Sequence, residues 1–211
     1  MVKQVRAART RQSLIRAAAE VFADDGYALA SLPAISKRAG VSAGALHFHF
    51  ASKDDLAREV EGAAADAVEK LAERHRITSA TLLQSLVHTT SGLLTAAADD
   101  PVVRAGFKLS GDPSRKNRAG MLHWWRAWVY DLVVEARGAG ELAEDVSPEV
   151  ATTVIVAATV GLEALGGDDH DWLSLERMSG FWTFVLPRLA ASPSDILVSA
   201  SNGTDTHGWS E

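Results

Sequence analysis

The stretch that decides the fold of this chain is GVSAGALHFHFASKDDL, residues 40–56. Gly40 can end a helix because glycine adopts a positive φ without strain, and Ser42 can cap the next helix by accepting a hydrogen bond from its first turn. Ser52 can cap a third helix in the same way, and the acidic residues after it suit the positive end of that helix. The stretch therefore predicts a short helix over about 43–48, followed by a second helix that begins at Ser52.

Two histidines in this stretch, His47 and His49, raise the question of a metal site. Side chains two apart on a helix point about 200° away from each other, whereas helical metal-ligand pairs stand three or four residues apart. The two rings could share one ion only if the segment were extended, and its caps predict a helix instead. We therefore expect no bound metal, and we expect no cofactor elsewhere in the chain.

Two more helical patterns come just before this stretch. Residues 9–25 carry apolar side chains at helical spacing, and Ser31 can cap a short helix over 32–39. Two short helices joined by a tight turn at Gly40 form a helix-turn-helix, whose second helix enters the major groove of DNA while its small residues 43–45 allow close approach. Side chains expected in the core of this head are Ile35, Ala39, Val41, Leu46, Phe48 and Phe50.

Composition limits the class of protein. The 211 residues are 47% hydrophobic, which is enough for a sizeable core and excludes a disordered chain. The chain has no cysteine and no apolar segment typical of a secretory signal, and we expect no apolar run of the roughly 18 residues that cross a bilayer. We therefore expect a cytoplasmic protein that does not enter a membrane.

The net charge of −6 is distributed unevenly along the chain. Residues 1–53 hold eight Lys or Arg and three acidic residues, a net charge of +5, whereas the remainder carries −11. A basic head on an acidic body is typical of a protein that binds a polyanion at one end. Charge alone fits a solvated helix face equally well.

The rest of the chain has helical periodicity and no convincing strand pattern. Clusters of glycine, proline and aspartate separate the helical segments. Expected helices cover about 52–75, 79–98, 101–110, 117–138, 148–165 and 171–190, and the polar tail from Ser192 is expected to be disordered.

The stretch SLPAISKRAGVSAGALHFHFASKDDL, residues 31–56, resembles the DNA-binding segment of the TetR family of bacterial repressors. That family's pattern runs Thr-Thr…Ile-Ala…Gly-Val-Ser-x-Gly-x-Leu-Tyr-x-His-Phe-x-Ser-Lys-x-x-Leu, and nearly every signature position is filled here. The resemblance implies a three-helix head, a homodimer, and repression that lasts until a small molecule binds the C-terminal body. We expect phosphate contacts at Ser31, Ser42, His49 and Lys53, and base contacts at Ala43, Gly44 and Ala45.

Two positions depart from the family pattern. His47 stands where the family has a tyrosine that commonly contacts phosphate, and Ala43 stands where a lysine is common. A protonated His47 would still bind phosphate, so DNA affinity is expected to be weaker or more sensitive to pH than in close relatives. The alternative is a neutral surface His47 with no role. Lys37 and Arg38 are expected only to solvate the second helix.

Tryptophans are concentrated in residues 117–138, NRAGMLHWWRAWVYDLVVEARG. Trp124 and Trp128 are four apart and share a helix face, from which Trp125 points about 100° away. Such a pair can be plain core. An indole also has an N–H group that needs a hydrogen-bond acceptor when it is buried, which suits a pocket for an apolar ligand with a polar group.

The stretch DDPVVRAGFKLSGD, residues 99–112, followed by a Trp-bearing helix that ends in EARGAGEL, resembles the γ-butyrolactone receptor subgroup of that family. The resemblance implies a small signalling molecule such as a γ-butyrolactone or an antibiotic. It aligns the ligand-contacting tryptophan with Trp124, or with Trp125 if the register slips. Other residues expected near the ligand are Trp128, Phe107, Leu109 and His88, although a core or surface histidine is the plainer interpretation of His88.

Residues 150–165, VATTVIVAATVGLEAL, are small and apolar on nearly every face, so this helix must be covered all round. The family resemblance implies that this helix and the helix at 171–190 pair with those of a second copy in a four-helix dimer interface. Ala157, Ala158 and Gly161 would allow close approach there. The alternative is a monomer that holds this helix inside.

These patterns predict an all-α fold with three parts: a helix-turn-helix DNA-binding head at 1–53, a ligand-binding and dimerisation body at 54–191, and a flexible tail at 192–211. We expect a repressor whose partners are double-stranded operator DNA and a small effector. We expect no enzyme, since G-x-S-x-G, P-loop, G-x-G-x-x-G and H-E-x-x-H motifs are absent. The alternatives are a helical DNA-binding or partner-binding protein with no ligand, and an enzyme with a cation in the acidic loop 168–171.

Overall fold

The computed structural model describes residues 2–115, 120–167 and 169–193, and these residues are built of helices. The helices are α1 (Val2–Leu29), α2 (Leu32–Arg38), α3 (Ala43–His49), α4 (Lys53–Thr78), α5 (Leu82–Asp99), α6 (Pro101–Gly111), α7 (Met121–Gly138), α8 (Pro148–Gly166), a short 3₁₀ helix (His170–Leu173) and α9 (Leu175–Leu189). Extended pairing in the described ranges amounts to one isolated antiparallel bridge, between Leu142 and Ala190. The all-α prediction is confirmed.

Packing divides the chain into two compact units. The first consists of Met1–Glu69 with Ala96–Trp125, and the second of Lys70–Thr95 with Arg126–Glu211. Helices α4, α5 and α7 therefore each contribute residues to both units. The three functional parts predicted above stay predictions, and the predicted flexible tail lies, from residue 194 onward, outside the described residues.

The core of the first unit is built around α1. Its side chains Leu14 and Phe22 are fully buried, in a cluster that includes Ile35 of α2, Leu56 of α4 and Leu109 of α6. Near the C-terminal end of α1 the helical geometry is interrupted at Gly26, whose φ of 75° and ψ of 166° other residues adopt only with strain. The helix begins earlier than predicted, at residue 2.

The helix-turn-helix has the caps that the sequence predicts. The Ser31 hydroxyl oxygen accepts a hydrogen bond from the backbone N–H of Ala34 at 3.3 Å, which caps α2. The Ser42 hydroxyl oxygen accepts one from the N–H of Ala45 at 3.2 Å, which caps α3. Gly40 has φ 66° in the turn between them. Local hydrogen bonds thus set both ends of the turn and fix the direction in which α3 begins.

The second unit buries side chains of α5, α7, α8 and α9. The carboxylate of Glu141, just after α7, accepts hydrogen bonds from the backbone N–H groups of Leu82 at 3.1 Å and Leu83 at 2.9 Å. This acidic side chain caps the N-terminus of α5 from 58 residues away in sequence, and its negative charge suits the positive end of that helix.

Helix α8 corrects one expectation about membranes. It is 19 residues long with a mean hydropathy of 1.5, so by length and composition alone it could cross a bilayer. The expectation that no apolar run is long enough to cross a bilayer is therefore wrong for this helix. Only 28% of this apolar segment is buried within the chain, so most of it is open to contact with another molecule.

Candidate nucleic-acid interface and effector-binding residues

The N-terminal tip of α3 is an exposed surface of small residues. Ser42, Ala43 and Gly44 are exposed, Ala45 is half-buried, and Leu46 is 1% exposed in the core. A Cβ placed on Gly44 would meet only the Ser42 hydroxyl, at 3.9 Å, so the helix is open on that side. The structure therefore presents this backbone outward, which is the geometry that close approach to DNA requires.

The end of α3 differs from the sequence prediction at Phe48. This side chain was expected in the core, but it is 81% exposed. The reason is helical geometry: Leu46 points into the core, and a side chain two positions later points about 200° away from it. Phe50, beyond the helix, is 3% exposed and confirms its predicted place in the core. His47 is exposed, and His49 is half-buried.

Lys53, predicted to contact phosphate, bonds to the chain itself in this structure. Its ammonium group donates hydrogen bonds to the carbonyl oxygens of Tyr27 at 2.7 Å and Ala30 at 2.9 Å, and it lies 4.4 Å from the centre of the Tyr27 ring. Lys53 thereby ties the first turn of α4 to the end of α1. The phosphate contact stays a prediction, and Lys53 would have to exchange these carbonyls for it.

A buried ion pair that the sequence analysis missed lies in the first unit. Arg115 follows α6, its side chain is 1% exposed, and its Nη1 lies 2.7 Å from a carboxylate oxygen of Glu61, which is 7% exposed. Asp54 lies 3.5 Å from Nη2, and the guanidinium is 5.3 Å from the centre of the Tyr27 ring. Ser110 donates to Glu61 at 3.4 Å. Helical spacing places Glu61 at a core position of α4, so the sequence did indicate that this carboxylate is buried. No feature of the sequence indicated that Arg115 is buried.

Arg11 and Arg38 of the head pair with acidic side chains of the first unit. Arg38 lies 3.1 Å from a carboxylate oxygen of Glu20 and 3.8 Å from one of Asp24, while Arg11 pairs with Glu59. Lys37 is exposed. Exposed pairs of this kind exchange easily with other anions, because each contributes only about 0–1 kcal/mol.

The predicted effector-binding residues fall in both units. Trp124, Phe107 and Leu109 belong to the first, whereas Trp128 and His88 belong to the second. Trp124 and Trp128 are half-buried, and Trp125 between them is completely buried. Leu109 is part of the hydrophobic cluster around α1, and Phe107, two positions earlier on α6, points to the opposite side of that helix. Their role in binding an effector stays a prediction.

His88 lies in a polar group of the second unit. Its Nδ1 is 3.2 Å from the Ser79 hydroxyl, and its ring centre is 5.6 Å from that of His75. Burial lowers the pKa of His88 below the ordinary 6.5. Burial also lowers the pKa of His75, with smaller contributions from His88 and from the charge of Arg74. Both rings are therefore held toward the neutral form.

The second unit is expected to unfold more easily as the pH falls from about 7.5 to 5.5. Because the pKa values of His75 and His88 are lowered by folding, the unfolded chain binds more protons in this range. Their contribution to stability is complete above the ordinary value of 6.5 and is lost as the pH falls through the lowered pKa values. The urea midpoint is measured at both pH values. The difference between the two midpoints should be smaller for His88→Asn than for the wild type. The exposed control His47→Asn should keep the full difference, and an undiminished difference in His88→Asn would refute the assignment.

Within the residues that the structure describes, no group of three or more His, Asp or Glu side chains is arranged to hold a metal ion. His47 and His49 both lie on α3, where they cannot share an ion. In the acidic loop, Asp169 accepts a hydrogen bond from the N–H of Asp171 and caps the 3₁₀ helix, and Asp171 pairs with Arg177 at 3.2 Å. Asp168 lies outside the described residues.

Residues 14–60 match a family of bacterial regulatory proteins, the tetR family. The chain is 32% identical over 194 residues to the A-factor receptor protein of Streptomyces griseus, covering 90% of this chain and 67% of that protein. Its fold is similar to the crystal structure of a γ-butyrolactone receptor (ArpA-like protein), with a TM-score of 0.77 and 25% identity over 94% of this chain and 97% of that one. It is also similar to CprB of Streptomyces coelicolor in complex with its biological operator sequence, with a TM-score of 0.78 and 26% identity over 93% and 97% of the two chains.

Proposed function

Because this chain belongs to the TetR family of bacterial regulatory proteins, we propose that it is a ligand-responsive repressor that binds operator DNA as a homodimer. The effector is a small signalling molecule of the γ-butyrolactone type or an antibiotic. The observation that carries the DNA-binding role is the exposed tip of α3, where capped small residues stand open to a partner. The similarity to the structure of a γ-butyrolactone receptor, which extends over 94% of this chain, supports the effector class.

The exposed apolar surface of α8 and α9 supports the dimer. On α8, Val150, Val154 and Leu165 are 61%, 44% and 48% exposed, and Ala157 and Gly161 between them are small. These positions recur every three or four residues, which places them along one stripe of the helix. On α9, Phe184 is 85% exposed. A second copy would cover these side chains and account for the apolar character of α8 without a bilayer.

The proposed mechanism is a change in the spacing of two DNA-binding heads. A dimer that presents its two α3 helices about 34–36 Å apart meets successive major grooves on one side of the duplex. Helix α4 begins directly after the helix-turn-helix and has residues in both units, so it forms a covalent route from the body to the head. An effector that turns a 99:1 equilibrium into 1:99 must prefer the released state by about 5.5 kcal/mol.

Effector binding is assigned to the tryptophan-bearing helix α7. Trp124 and Trp128 keep part of their surface accessible, while Trp125 is completely buried. A half-buried indole can contact an apolar ligand through its ring face and still bond through its N–H. On this proposal, binding of a lactone or an antibiotic changes the tryptophan fluorescence.

Purified protein is expected to enrich one sequence from randomised DNA duplexes and to bind it about 100-fold more weakly at 200 mM than at 50 mM salt. About four phosphates neutralised by cationic side chains of the dimer would produce this slope. Gly44→Glu should lose binding because it puts a carboxylate on the open tip. Gly62→Glu is the matched control, since Gly62 is exposed on α4 with nothing within 4 Å of its Cβ position.

A panel of synthetic γ-butyrolactones and antibiotics then tests the effector. One of them should release the selected duplex and quench tryptophan fluorescence at the same concentration. Salt-independent binding, or full binding by Gly44→Glu, would refute the DNA-binding role. Tight binding that no compound relieves would favour the alternative, a DNA-binding protein without a small-molecule ligand.

A further inference from the structure

Phe48 is a large apolar side chain at the surface of α3. It is 81% exposed, whereas Leu46 and Phe50 on either side of it are 1% and 3% exposed. Burial of a phenylalanine side chain stabilises a fold, and this fold makes little use of that contribution at Phe48. Single exposed apolar residues are common on protein surfaces, so exposure alone assigns no role to Phe48.

The composition of α3 supplies the second observation. Its seven residues, AGALHFH, contain no Arg, Lys, Asn or Gln. Those four side chains make the bidentate hydrogen bonds by which helices in the major groove distinguish guanine and adenine. Discrimination by this helix therefore depends on its two histidines and on apolar contact. The apolar feature of the major groove is the C5-methyl group of thymine, which phenylalanine and alanine can contact.

The position of Phe48 on the helix suits that contact. It stands four residues after Gly44 and three after Ala45, so it shares their face of α3. Helical side chains lean back toward the N-terminus, and Gly44 has no side chain to occupy the space over the preceding turn. The ring also packs edge-on against His49, with centres 5.1 Å apart, which restricts its rotation. Phe48 therefore projects beside the open tip as a partly preorganised apolar group.

We propose that Phe48 recognises a thymine methyl group in each half-site of the operator and is a determinant of sequence specificity. This assignment rests on the proposed DNA-binding function. Burial of one methyl group contributes about 0.8 kcal/mol, which is a factor of roughly four in affinity. A symmetric dimer would use two such contacts, so their loss corresponds to a factor of about 15.

The test uses the duplex that the wild-type protein enriches from a randomised 30-base-pair library. Each symmetry-related pair of thymines, one in each half-site, is replaced in turn by deoxyuridine, which removes only the C5-methyl groups. Binding is measured by fluorescence anisotropy for the wild type, Phe48→Ala and Leu29→Ala. Leu29 is the matched control because it is equally exposed, at 81%, in the same unit but outside α3.

At one symmetric pair of positions, deoxyuridine is expected to weaken wild-type and Leu29→Ala binding by about 15-fold. Phe48→Ala is expected to bind the thymine duplex about 15-fold or more weakly and to be insensitive to the same replacement. Its melting temperature should stay at the wild-type value, because the side chain is exposed.

Three results separate the outcomes. If the wild type enriches no sequence, the proposed function fails and this inference fails with it. If the wild type enriches a sequence but Phe48→Ala keeps the full dependence on the methyl group, or binds within twofold of the wild type, the inference alone is refuted. If Phe48→Ala changes the oligomeric state and not the methyl dependence, Phe48 contacts protein instead of DNA.

Discussion

Replacement of Arg115 by Met is expected to destabilise the first unit by about 3–5 kcal/mol. The substitution leaves the carboxylate of Glu61, only 7% exposed, without the guanidinium that lies 2.7 Å from it. Removal of one partner from a buried ion pair leaves a charge that is neither solvated nor paired, and this accounts for most of the loss. The substitution also removes the contacts of the guanidinium with the Tyr27 ring and with Asp54. Urea denaturation followed by circular dichroism measures the change.

Two controls separate the buried charge from a general effect of the mutation. The double variant Arg115→Met/Glu61→Leu removes both charges and should recover most of the lost stability. Arg177→Met removes an exposed pair with Asp171, 47% and 63% exposed, and should cost less than about 1 kcal/mol. If Arg115→Met costs no more than Arg177→Met, or if the double variant is as unstable as the single one, the pair does not hold this unit together as we describe.

Replacement of Phe184 by Glu is expected to convert the proposed homodimer into monomers. Phe184 is 85% exposed in the single chain, so the substitution should leave folding intact. In the proposed dimer it would place a carboxylate in each half of an apolar interface. Loss of two buried phenylalanine contacts, at about 1.5–3 kcal/mol each, raises the dissociation constant roughly 10²–10⁴-fold. Analytical ultracentrifugation at micromolar concentration measures the change in mass.

Ile77→Glu is the matched control for this variant, because Ile77 is also exposed, at 74%, near the end of α4 and outside the proposed interface. It should remain a dimer and keep its DNA affinity. Phe184→Glu should lose DNA affinity along with dimerisation, because two linked heads bind a pair of half-sites far more tightly than one head binds either. A wild-type protein that sediments as a monomer, or a Phe184→Glu variant that stays dimeric, would contradict the proposed interface.

Local signals explain why the head was predictable. Ser31 and Ser42 cap their helices through hydrogen bonds to N–H groups three residues away, and Gly40 takes the positive φ that its turn requires. Each of these interactions is contained within a few residues. The register of α3 around buried Leu46 also held the signal that Phe48 points outward. The prediction that Phe48 lies in the core was wrong because it rested on the hydrophobicity of the side chain and not on this register.

Long-range contacts explain what could not be predicted. Lys53 donates to carbonyl oxygens more than 20 residues away, and Arg115 pairs with Glu61 across 54 residues of sequence. Spacing along the chain contains no information about such pairs, because they depend on which helices pack together. The same holds for the tryptophans of α7: periodicity placed Trp124 and Trp128 on one face, but only packing decided that Trp125 is the buried one.

The sequence by itself determined the all-helical class, the ends of the helix-turn-helix and the outward-facing small residues of α3, because caps, turns and periodicity act over one or two helical turns. Only the tertiary structure decided how Lys53 and Arg115 are used, which tryptophan is enclosed, and which apolar side chains of α8 and α9 remain uncovered. Those properties depend on how segments far apart in sequence pack in space, and burial and ion pairing are consequences of that packing.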